Sequence, residues 1–442
     1  MTTKTVLVTG AAGFIGPQVV HLLLTETDHR VIALDKLTYA ARVENGEPLS
    51  LKMVLDPIVG NIDLSRRYSF IKMDICDSRI KDLLETAKVN YVINLAAESH
   101  VDRSIGDTPE FILTEILGTR NLLEAIRKQN SSGGHRVQRA VFVSTDEVYG
   151  SIDRIAGCEG HQWYEVLDEQ ARDLIGQHQF KEATPLAGGS PYSACKGGAD
   201  LLVGAYFNTH KWDSASGNID PERVPFIITR CVNNFGPFQH PEKLIPLAIC
   251  TLLMPEVSED KPKYKRRIPV YDKGLAVREW LHSEDHARAV ITVMQSGKIG
   301  EIYNVGSGKR CRNHDLLLAI FRACQPEAAR NGFNNLAEAT FDASTAKGIA
   351  RPGHDLCYAV NCDKIKSNLG WQPNHAFSLE EEVKNVVDWY KQNPHWWKPV
   401  WTSRELTEYW NKKYRAIQDE SSQSFDFYGA DKRGLLLDQT LL

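Results

Sequence analysis

Val6-Leu7-Val8-Thr9-Gly10-Ala11-Ala12-Gly13-Phe14-Ile15-Gly16 is the stretch that decides the fold. Its first residues are apolar or β-branched and predict a short buried strand, and helical periodicity follows from Phe14 to Leu24. Glycines in the connecting loop allow a tight turn, close approach of backbone to a pyrophosphate, and close packing of helix on strand. An anion there would also meet the positive end of the helix dipole. We therefore predict a dinucleotide site, against the alternative of a glycine turn without a ligand.

Further strands alternate with helices along the first half of the chain. Continuous apolar runs of this kind indicate a parallel sheet covered on both faces. We predict an α/β fold: a Rossmann-like doubly wound parallel sheet with a smaller α/β substrate-binding lobe. The predicted strands cover residues 6–9, 31–35, 68–73, 91–95, 139–144 and 224–231.

The alternation of predicted strands and helices changes after about residue 230, where prolines become frequent and the predicted segments shorten. We therefore divide the chain into a dinucleotide-binding domain at 1–230, a smaller second lobe at 231–400 and a C-terminal extension at 401–442. Residues of about 285–305 are expected to return to the first domain. Three stretches are interpreted as surface insertions, at 42–67, 151–184 and 255–267.

Composition excludes several classes of protein. The 442 residues include 52 Lys+Arg and 56 Asp+Glu, and this balance argues against a dedicated nucleic-acid binder. No apolar run approaches the roughly 20 residues of a membrane span, and no signal-peptide pattern precedes the first strand. Nine scattered cysteines fit a reduced protein rather than a disulfide scaffold. We expect a cytoplasmic protein that binds neither nucleic acid nor membrane.

Asp35 closes the second predicted strand. A carboxylate at this position can accept hydrogen bonds from both ribose hydroxyls and would repel a 2′-phosphate, so NAD is favoured over NADP.

Tyr192 and Lys196 lie four residues apart after Ser190-Pro191, a suitable helix start. Tyrosine is a poor base at neutral pH, but an adjacent ammonium and the positive nicotinamide ring would lower its pKa. The alternative is an ordinary amphipathic helix, and the glycine loop favours the functional interpretation.

Thr145-Asp146-Glu147 follows the fifth predicted strand, at the edge where open α/β sheets bind ligands. Two adjacent carboxylates are suited to act as a general acid and a general base. A solvated turn is the alternative interpretation.

Together these motifs resemble the extended short-chain dehydrogenase/reductases that act on nucleotide sugars, and more narrowly the dTDP-glucose 4,6-dehydratase branch. The most specific element is the Asp146-Glu147 pair, which related epimerases and decarboxylases lack. The matching stretches lie at 6–16, 34–40, 74–77, 95–104, 144–150, 190–196, 229–237, 241–246, 278–281, 303–306 and 351–355.

The resemblance implies a lyase with tightly held NAD that dehydrates a nucleoside-diphosphate hexose. Tyr192 would take the proton of the 4-hydroxyl while hydride passes to NAD, with Thr145 bonded to the same oxygen and Lys196 tuning Tyr192. Glu147 would then remove the C5 proton, and Asp146 would protonate the departing 6-hydroxyl. Hydride return to C6 would complete a 4-keto-6-deoxy sugar. We predict that Asp146 is neutral, its pKa raised by Glu147 and by burial.

The resemblance also assigns NAD to the domain at 1–230, the sugar nucleotide to the lobe at 231–400, and individual binding residues. For the cofactor they are Gly10, Gly13, Phe14, Ile15, Gly16, Asp35, Lys36, Thr38, Asp74, Ile75, Leu95, Ala96, Ala97, Tyr192 and Lys196. For the substrate they are Ser99, Thr145, Asn233, Lys243, Leu244, Pro269, Tyr271, Arg278, Asn313, Arg351 and His354. No metal site is expected. A homodimer is implied, joined through helices at about 109–130 and 190–210.

Two positions depart from the family pattern: Glu115 stands where asparagine is expected, and His282 where tyrosine is expected. His282 and His286 are interpreted as structural rather than as a metal pair. The basic run at 261–267 is interpreted as a solvated loop, with proximity to a nucleotide diphosphate as the alternative.

Three functions stay open from the sequence. The first is a nucleoside-diphosphate-hexose 4,6-dehydratase, with dTDP-glucose as the first candidate and UDP-glucose or another nucleotide sugar as alternatives. The second is a nucleotide-sugar 4-epimerase or decarboxylase, and the third is a catalytically silent NAD-binding regulator.

Overall fold

The computed structural model describes residues 3–60, 63–152, 178–210, 222–257, 262–271, 274–326, 334–343, 355–375 and 378–415. Its strands are β1 (Thr5–Thr9), β2 (Arg30–Asp35), β3 (Val43–Glu44), β4 (Glu47–Pro48), β5 (Tyr68–Lys72), β6 (Tyr91–Asn94), β7 (Arg139–Thr145), β8 (Phe226–Cys231), β9 (Asn233–Phe235), β10 (Glu256–Val257), β11 (Pro262–Lys263), β12 (Ile268–Val270), β13 (Val277–His282), β14 (Ile302–Val305), β15 (Arg310–Arg312) and β16 (Thr340–Asp342).

The helices are α1 (Gly16–Glu26), α2 (Leu49–Leu55), α3 (Leu64–Arg67), α4 (Ile80–Thr86), α5 (Val101–Gly106), α6 (Thr108–Phe111), α7 (Thr119–Ser131), α8 (Pro191–Thr209), α9 (Leu244–Leu253), α10 (Ser283–Ser296), α11 (Asn313–Cys324), α12 (Asn334–Ala339), α13 (Asp363–Leu369), α14 (Leu379–Gln392), α15 (Pro394–Trp401) and α16 (Arg404–Trp410). Single 3₁₀ turns cover Asp56–Ile58 and Asp146–Tyr149, and π-helical segments cover Ile112–Gly118 and Asn411–Arg415.

The central sheet has seven parallel strands in the order β14-β8-β7-β6-β1-β2-β5. The predicted doubly wound sheet is therefore confirmed. Strand order reverses beside β1, which pairs with β2 on one side and with β6 on the other. In open parallel sheets a crevice forms at such a reversal, at the carboxyl ends of the strands. The glycine loop follows β1 at that position.

Helices cover both faces of this sheet because its strands are apolar on both sides. Helices α1 and α10 pack together on one face, and α4, α7 and α8 pack on the other. β14 lies at the edge of the sheet, paired with β8. Residues 302–305 therefore belong to the same sheet as the glycine loop.

The second lobe has its own core. A three-stranded sheet, β15-β13-β9, and a parallel pair, β12-β16, adjoin helices α9, α11 and α14. The C-terminal helices α15 and α16 add buried tryptophans, including Trp397 and Trp410, to this core. The extension beyond 401 is thus packed against the second lobe as far as Tyr414.

None of the helices in the part of the chain that the structure describes combines the length and hydropathy needed to cross a membrane.

Candidate active site

A cavity of about 450 Å³ lies between the two lobes, at the carboxyl ends of the central strands. The glycine loop and the ends of β2 and β6 line one side, and residues of the second lobe line the other. Sequence segments that are far apart thus contribute to one cleft.

The loop after β1 is shaped by close backbone packing. A Cβ on Gly16 would lie 2.4 Å from the carbonyl oxygen of Gly10, and one on Gly10 would lie 2.7 Å from the backbone nitrogen of Ala96. Gly13 differs, because a Cβ there would meet only the Gly10 oxygen, at 3.4 Å. Gly13 also lines the cavity, so backbone rather than a side chain faces the cleft. This open cradle at a helix start fits the pyrophosphate of NAD.

Asp35 lines the cavity and is anchored at the end of β2. Its Oδ2 accepts a hydrogen bond from the backbone nitrogen of Ala12 at 2.9 Å, and its Oδ1 accepts one from that of Leu37 at 2.7 Å. Burial raises the pKa of Asp35, while these two bonds oppose the rise. Each carboxylate oxygen keeps a second lone pair, so the group is still able to accept from ribose hydroxyls.

The structure places every predicted cofactor residue in the wall of this one cavity. They are Gly10, Gly13, Phe14, Ile15, Gly16, Asp35, Lys36, Thr38, Asp74, Ile75, Leu95, Ala96, Ala97, Tyr192 and Lys196.

Helix α8 presents the tyrosine and the lysine. Ser190 begins it with a capping box, in which the Ser190 and Ser193 side chains each accept from the other residue's backbone nitrogen. Pro191 occupies the first turn, where a missing N–H costs nothing. Tyr192 and Lys196 therefore emerge on one face, directed into the cavity.

The pKa of Tyr192 is raised well above its ordinary value, first by burial and then by the carboxylates of Glu147, Glu115 and Asp146. The predicted lowering of this pKa by Lys196 and the nicotinamide ring together stays a prediction for the protein with NAD bound. The Lys196 ammonium lies 2.9 Å from the Glu115 carboxylate, which offsets its charge.

The acid pair follows β7. Glu147 lines the cavity beside Thr145, whose hydroxyl accepts from the Glu147 backbone nitrogen at 3.3 Å. Asp146 is 1% exposed and lies behind the cavity wall rather than in it. Its Oδ1 faces the Thr145 hydroxyl at 3.3 Å, and its Oδ2 has no hydrogen-bond partner among the described residues. Burial, and next Glu147, raise the pKa of Asp146, in the predicted direction.

The second lobe contributes the predicted substrate residues. Arg278 is held by the backbone oxygens of Val277 and Asp355 and lies over the Tyr358 ring at 4.4 Å. The Lys243 ammonium donates to the backbone oxygen of Ser99. Nine of the predicted substrate residues line the cavity: Ser99, Thr145, Asn233, Lys243, Leu244, Pro269, Tyr271, Arg278 and Asn313. The other two, Arg351 and His354, lie outside the described residues.

Sequence reasoning missed two tyrosines in this wall, Tyr358 and Tyr414. The Tyr358 hydroxyl donates to Asp355 at 2.6 Å, and the Tyr414 hydroxyl donates to Asp102 at 2.6 Å. The only signal for Tyr414 was the amphipathic start of the C-terminal extension, and nothing in its neighbourhood marks it as a pocket residue.

The basic run needs a correction. Arg266 is buried, and its guanidinium donates to the backbone oxygen of Trp401 and to the Thr407 hydroxyl. Arg267 donates to the backbone oxygens of Glu338 and Thr340. The solvated-loop interpretation is therefore wrong for these arginines, which join segments of the second lobe. Neither lines the cavity.

His282 caps α10 by accepting from the Glu284 backbone nitrogen at 3.3 Å. Its ring lies 4.1 Å from that of His375, whose two nitrogens face Glu284 at 3.7 Å and Glu382 at 3.3 Å. The pKa of His375 is raised to about 9, chiefly by Glu284. These contacts form an ion-paired cluster. His286 is bonded to Asn234 at 3.1 Å and lines the cavity.

Comparison with known proteins agrees with this geometry. The model of the NAD dependent epimerase/dehydratase family matches residues 6–306. A dTDP-glucose 4,6-dehydratase of Neisseria meningitidis serogroup B is 38% identical over 406 residues, covering 90% of this chain and 96% of that protein.

Solved structures agree as well. A dTDP-glucose 4,6-dehydratase from Streptomyces venezuelae with NAD bound is 34% identical at a TM-score of 0.68, covering 90% of this chain and 99% of that one. A dTDP-glucose 4,6-dehydratase from Bacillus anthracis in complex with NAD is 32% identical at a TM-score of 0.64, with coverage of 90% and 100%. The chain belongs to the NAD dependent epimerase/dehydratase family and, within it, to the dTDP-glucose 4,6-dehydratase family.

Proposed function

We propose that this protein is an NAD-dependent dehydratase that converts dTDP-glucose to the 4-keto-6-deoxy sugar nucleotide. The observation that carries the proposal is the placement of Thr145 and Glu147, with Asp146 directly behind them, beside Tyr192 and Lys196 at one cleft. An epimerase or decarboxylase needs the tyrosine and lysine but has no use for a buried acid beside a base.

NAD fits the glycine cradle and Asp35, and when bound it would supply the hydride acceptor for C4 oxidation and the hydride donor for C6. Tyr192 would accept the 4-hydroxyl proton, and Thr145 would hold that oxygen. Lys196 would orient the nicotinamide ribose with an N–H that its other contacts do not use.

The two carboxyl groups divide the elimination between them. Once C4 is a ketone, the C5 proton is acidic, and Glu147 at the cavity surface would remove it. Asp146 is buried, and burial, followed by Glu147, raises its pKa, which favours the protonated form that would protonate the leaving 6-hydroxyl. Water is lost, hydride returns to C6 and C5 is reprotonated. The reaction steps therefore sum to the loss of one water with no net redox change.

Positive groups on the second lobe support a diphosphate substrate. Arg278 has a fixed guanidinium in the wall, and Lys243 also lines the cavity. Arginine forks pair well with phosphate oxygens. Arg351 and His354 stay predicted substrate residues.

We also infer a homodimer in the cytoplasm. Exposed apolar side chains lie on the helical stretches expected at the interface, namely Ile112, Leu113, Leu117 and Leu201, and Ile105 lies just before the first of these stretches. A second copy would cover this face, and sedimentation of the purified protein measures its oligomeric state. The described cysteines are all free thiols, which suits a reducing compartment.

The test of the function is incubation of the purified protein with dTDP-, UDP-, CDP- and GDP-glucose, followed by mass spectrometry of the products. We expect loss of one water from dTDP-glucose, at the highest kcat/KM of the four. Equal rates with UDP-glucose would overturn the assignment of the base, and no product from any of them would overturn the dehydratase.

A further inference from the structure

Glu115 is an acid where the family resemblance leads one to expect asparagine. It is 1% exposed, and its Oε2 lies 2.9 Å from the Lys196 ammonium. Its Oε1 accepts from the backbone nitrogen of Glu98 at 3.0 Å. Burial raises the pKa of Glu115, but the lysine and this N–H favour the charged form. An ion pair therefore lies directly behind the tyrosine–lysine face.

The backbone fixes this pair in place. Glu115 lies in the π-helical segment Ile112–Gly118, and such segments are frequent at functional sites. The segment packs closely on α8, because a Cβ on Gly198 would lie 2.9 Å from the Ile116 side chain. This close approach brings Glu115 within bonding distance of Lys196.

The pair uses part of the donor capacity of Lys196. An ammonium has three N–H donors. One is directed to the backbone oxygen of Val143 at 3.3 Å and one to Glu115, which leaves one for a group in the cleft. An asparagine at position 115 would supply a neutral amide instead, and the full positive charge would act on Tyr192.

We infer that Glu115 is a positioning residue that aims Lys196 and neutralises its charge, so that Tyr192 gives up its proton only at a higher pH than beside an unpaired lysine. The inference rests on the proposed function for the role of Tyr192, and it adds a reason why this chain differs from its relatives' pattern.

The other charged groups around the tyrosine do not offer the same control. The carboxyl groups of Asp146 and Glu147, after β7, also raise the pKa of Tyr192. Asp200, one turn beyond Lys196 on α8, is bound to Arg230 at 2.8 Å. Neutralising Glu115 therefore has two effects. It removes a negative charge near Tyr192, and it leaves the Lys196 ammonium without its carboxylate partner. The groups that face the tyrosine are Glu115, Asp146, Glu147 and Lys196, with the Thr145 hydroxyl.

The experiment compares Glu115→Gln, which keeps the shape, with the wild-type holoenzyme. The ionisation of Tyr192 is read as tyrosinate absorbance, after subtraction of the same protein carrying Tyr192→Phe. We expect the midpoint to fall by about one pH unit or more, because an unpaired cation close to an acidic group lowers its pKa by roughly 1–3 units. The acid limb of the pH profile of kcat/KM should move to lower pH by the same amount.

Three further variants complete the design. Glu115→Asp keeps the charge and should retain a midpoint near wild type. If Glu115→Gln does not fold, Glu115→Asn makes the same neutralisation. Glu284→Gln removes an ion-paired acid outside the cavity wall and should leave Tyr192 unchanged.

A midpoint in Glu115→Gln that is equal to or above wild type, or no tyrosinate in either protein up to the pH of unfolding, overturns the inference. Loss of thermal stability with an unchanged midpoint would show a structural role only. Failure of the proposed function is a separate result: the wild type would then form no dehydrated product, while the tyrosinate titration still decides the role of Glu115.

Discussion

The two walls of the cavity are built in different ways. The cofactor wall comes from the ends of β1, β2 and β6, between residues 10 and 97, and much of it is backbone. The substrate wall consists of side chains from segments between residues 99 and 414. We expect the backbone cradle to hold the cofactor and the scattered side chains to decide which substrate fits. Amino-acid substitutions should therefore be tolerated in the substrate wall and not in the cofactor wall.

The largest expected effect lies where the walls meet. Asp146→Asn should lower the rate of water loss by about 10²–10⁴-fold, because the leaving hydroxyl loses its acid. Reduction of bound NAD should persist and is followed by absorbance in single-turnover experiments. Asp388→Asn removes a partly exposed acid paired with Lys384 and should leave the rate unchanged. Dehydration by Asp146→Asn at the wild-type rate would refute the assignment.

A packing change in the cofactor wall should have the next largest effect. Gly16→Ala places a Cβ 2.6 Å from the Ala11 Cα and should destabilise the protein by about 1–3 kcal/mol, with loss of NAD during gel filtration. Chemical unfolding measures the loss of stability, and the absorbance of NAD in the eluted protein measures the loss of cofactor.

Gly13→Ala is the matched control, because its Cβ meets one protein atom at 3.4 Å. It should leave the stability of the cofactor-free protein nearly unchanged while weakening NAD binding. If both variants lose equal stability, close packing is not what distinguishes these glycines.

A change in the substrate wall should be smaller. Tyr414→Phe removes the hydroxyl bonded to Asp102, and we expect KM for dTDP-glucose to rise roughly fivefold to tenfold, corresponding to ~1 kcal/mol, with kcat retained. Tyr68→Phe, on β5 and away from the cavity, should change neither constant. A fall in kcat at constant KM would contradict a binding role for Tyr414.

The smallest expected effect concerns His375, outside both walls. Glu284 holds its pKa at about 9, above the ordinary value of 6.5, so the folded state binds the proton more tightly than the unfolded chain. The stabilisation is fully present below pH 6.5 and disappears as the pH rises through about 9. Because the side chain is partly exposed, we expect less than about 1 kcal/mol.

His375→Gln should therefore lower Tm at pH 6 and have no effect at pH 10. The exposed His395→Gln is the control and should change Tm at neither pH. A constant difference across this range would show that His375 acts through packing rather than charge.

Sequence reasoning located side chains correctly where their placement depends on neighbours along the chain. The glycine loop, the helix start at Ser190 and the run Thr145-Asp146-Glu147 are each contiguous, so local backbone rules place their side chains. It did not anticipate the pairing of Lys196 with Glu115, because Glu115 reaches Lys196 only through packing of two helical segments. It also misjudged Arg266 and Arg267, whose partners Trp401, Glu338 and Thr340 lie far along the chain.

The sequence by itself determined the doubly wound sheet, the dinucleotide loop and the acid–base pair at a strand end, since periodicity and short motifs encode these within a few residues. Only the tertiary structure decided that Asp146 lies behind the cavity wall, that Glu115 balances Lys196, and that Tyr414 closes the cleft against Asp102. Burial and charge pairing depend on which distant segments meet, and packing of the whole chain sets those contacts.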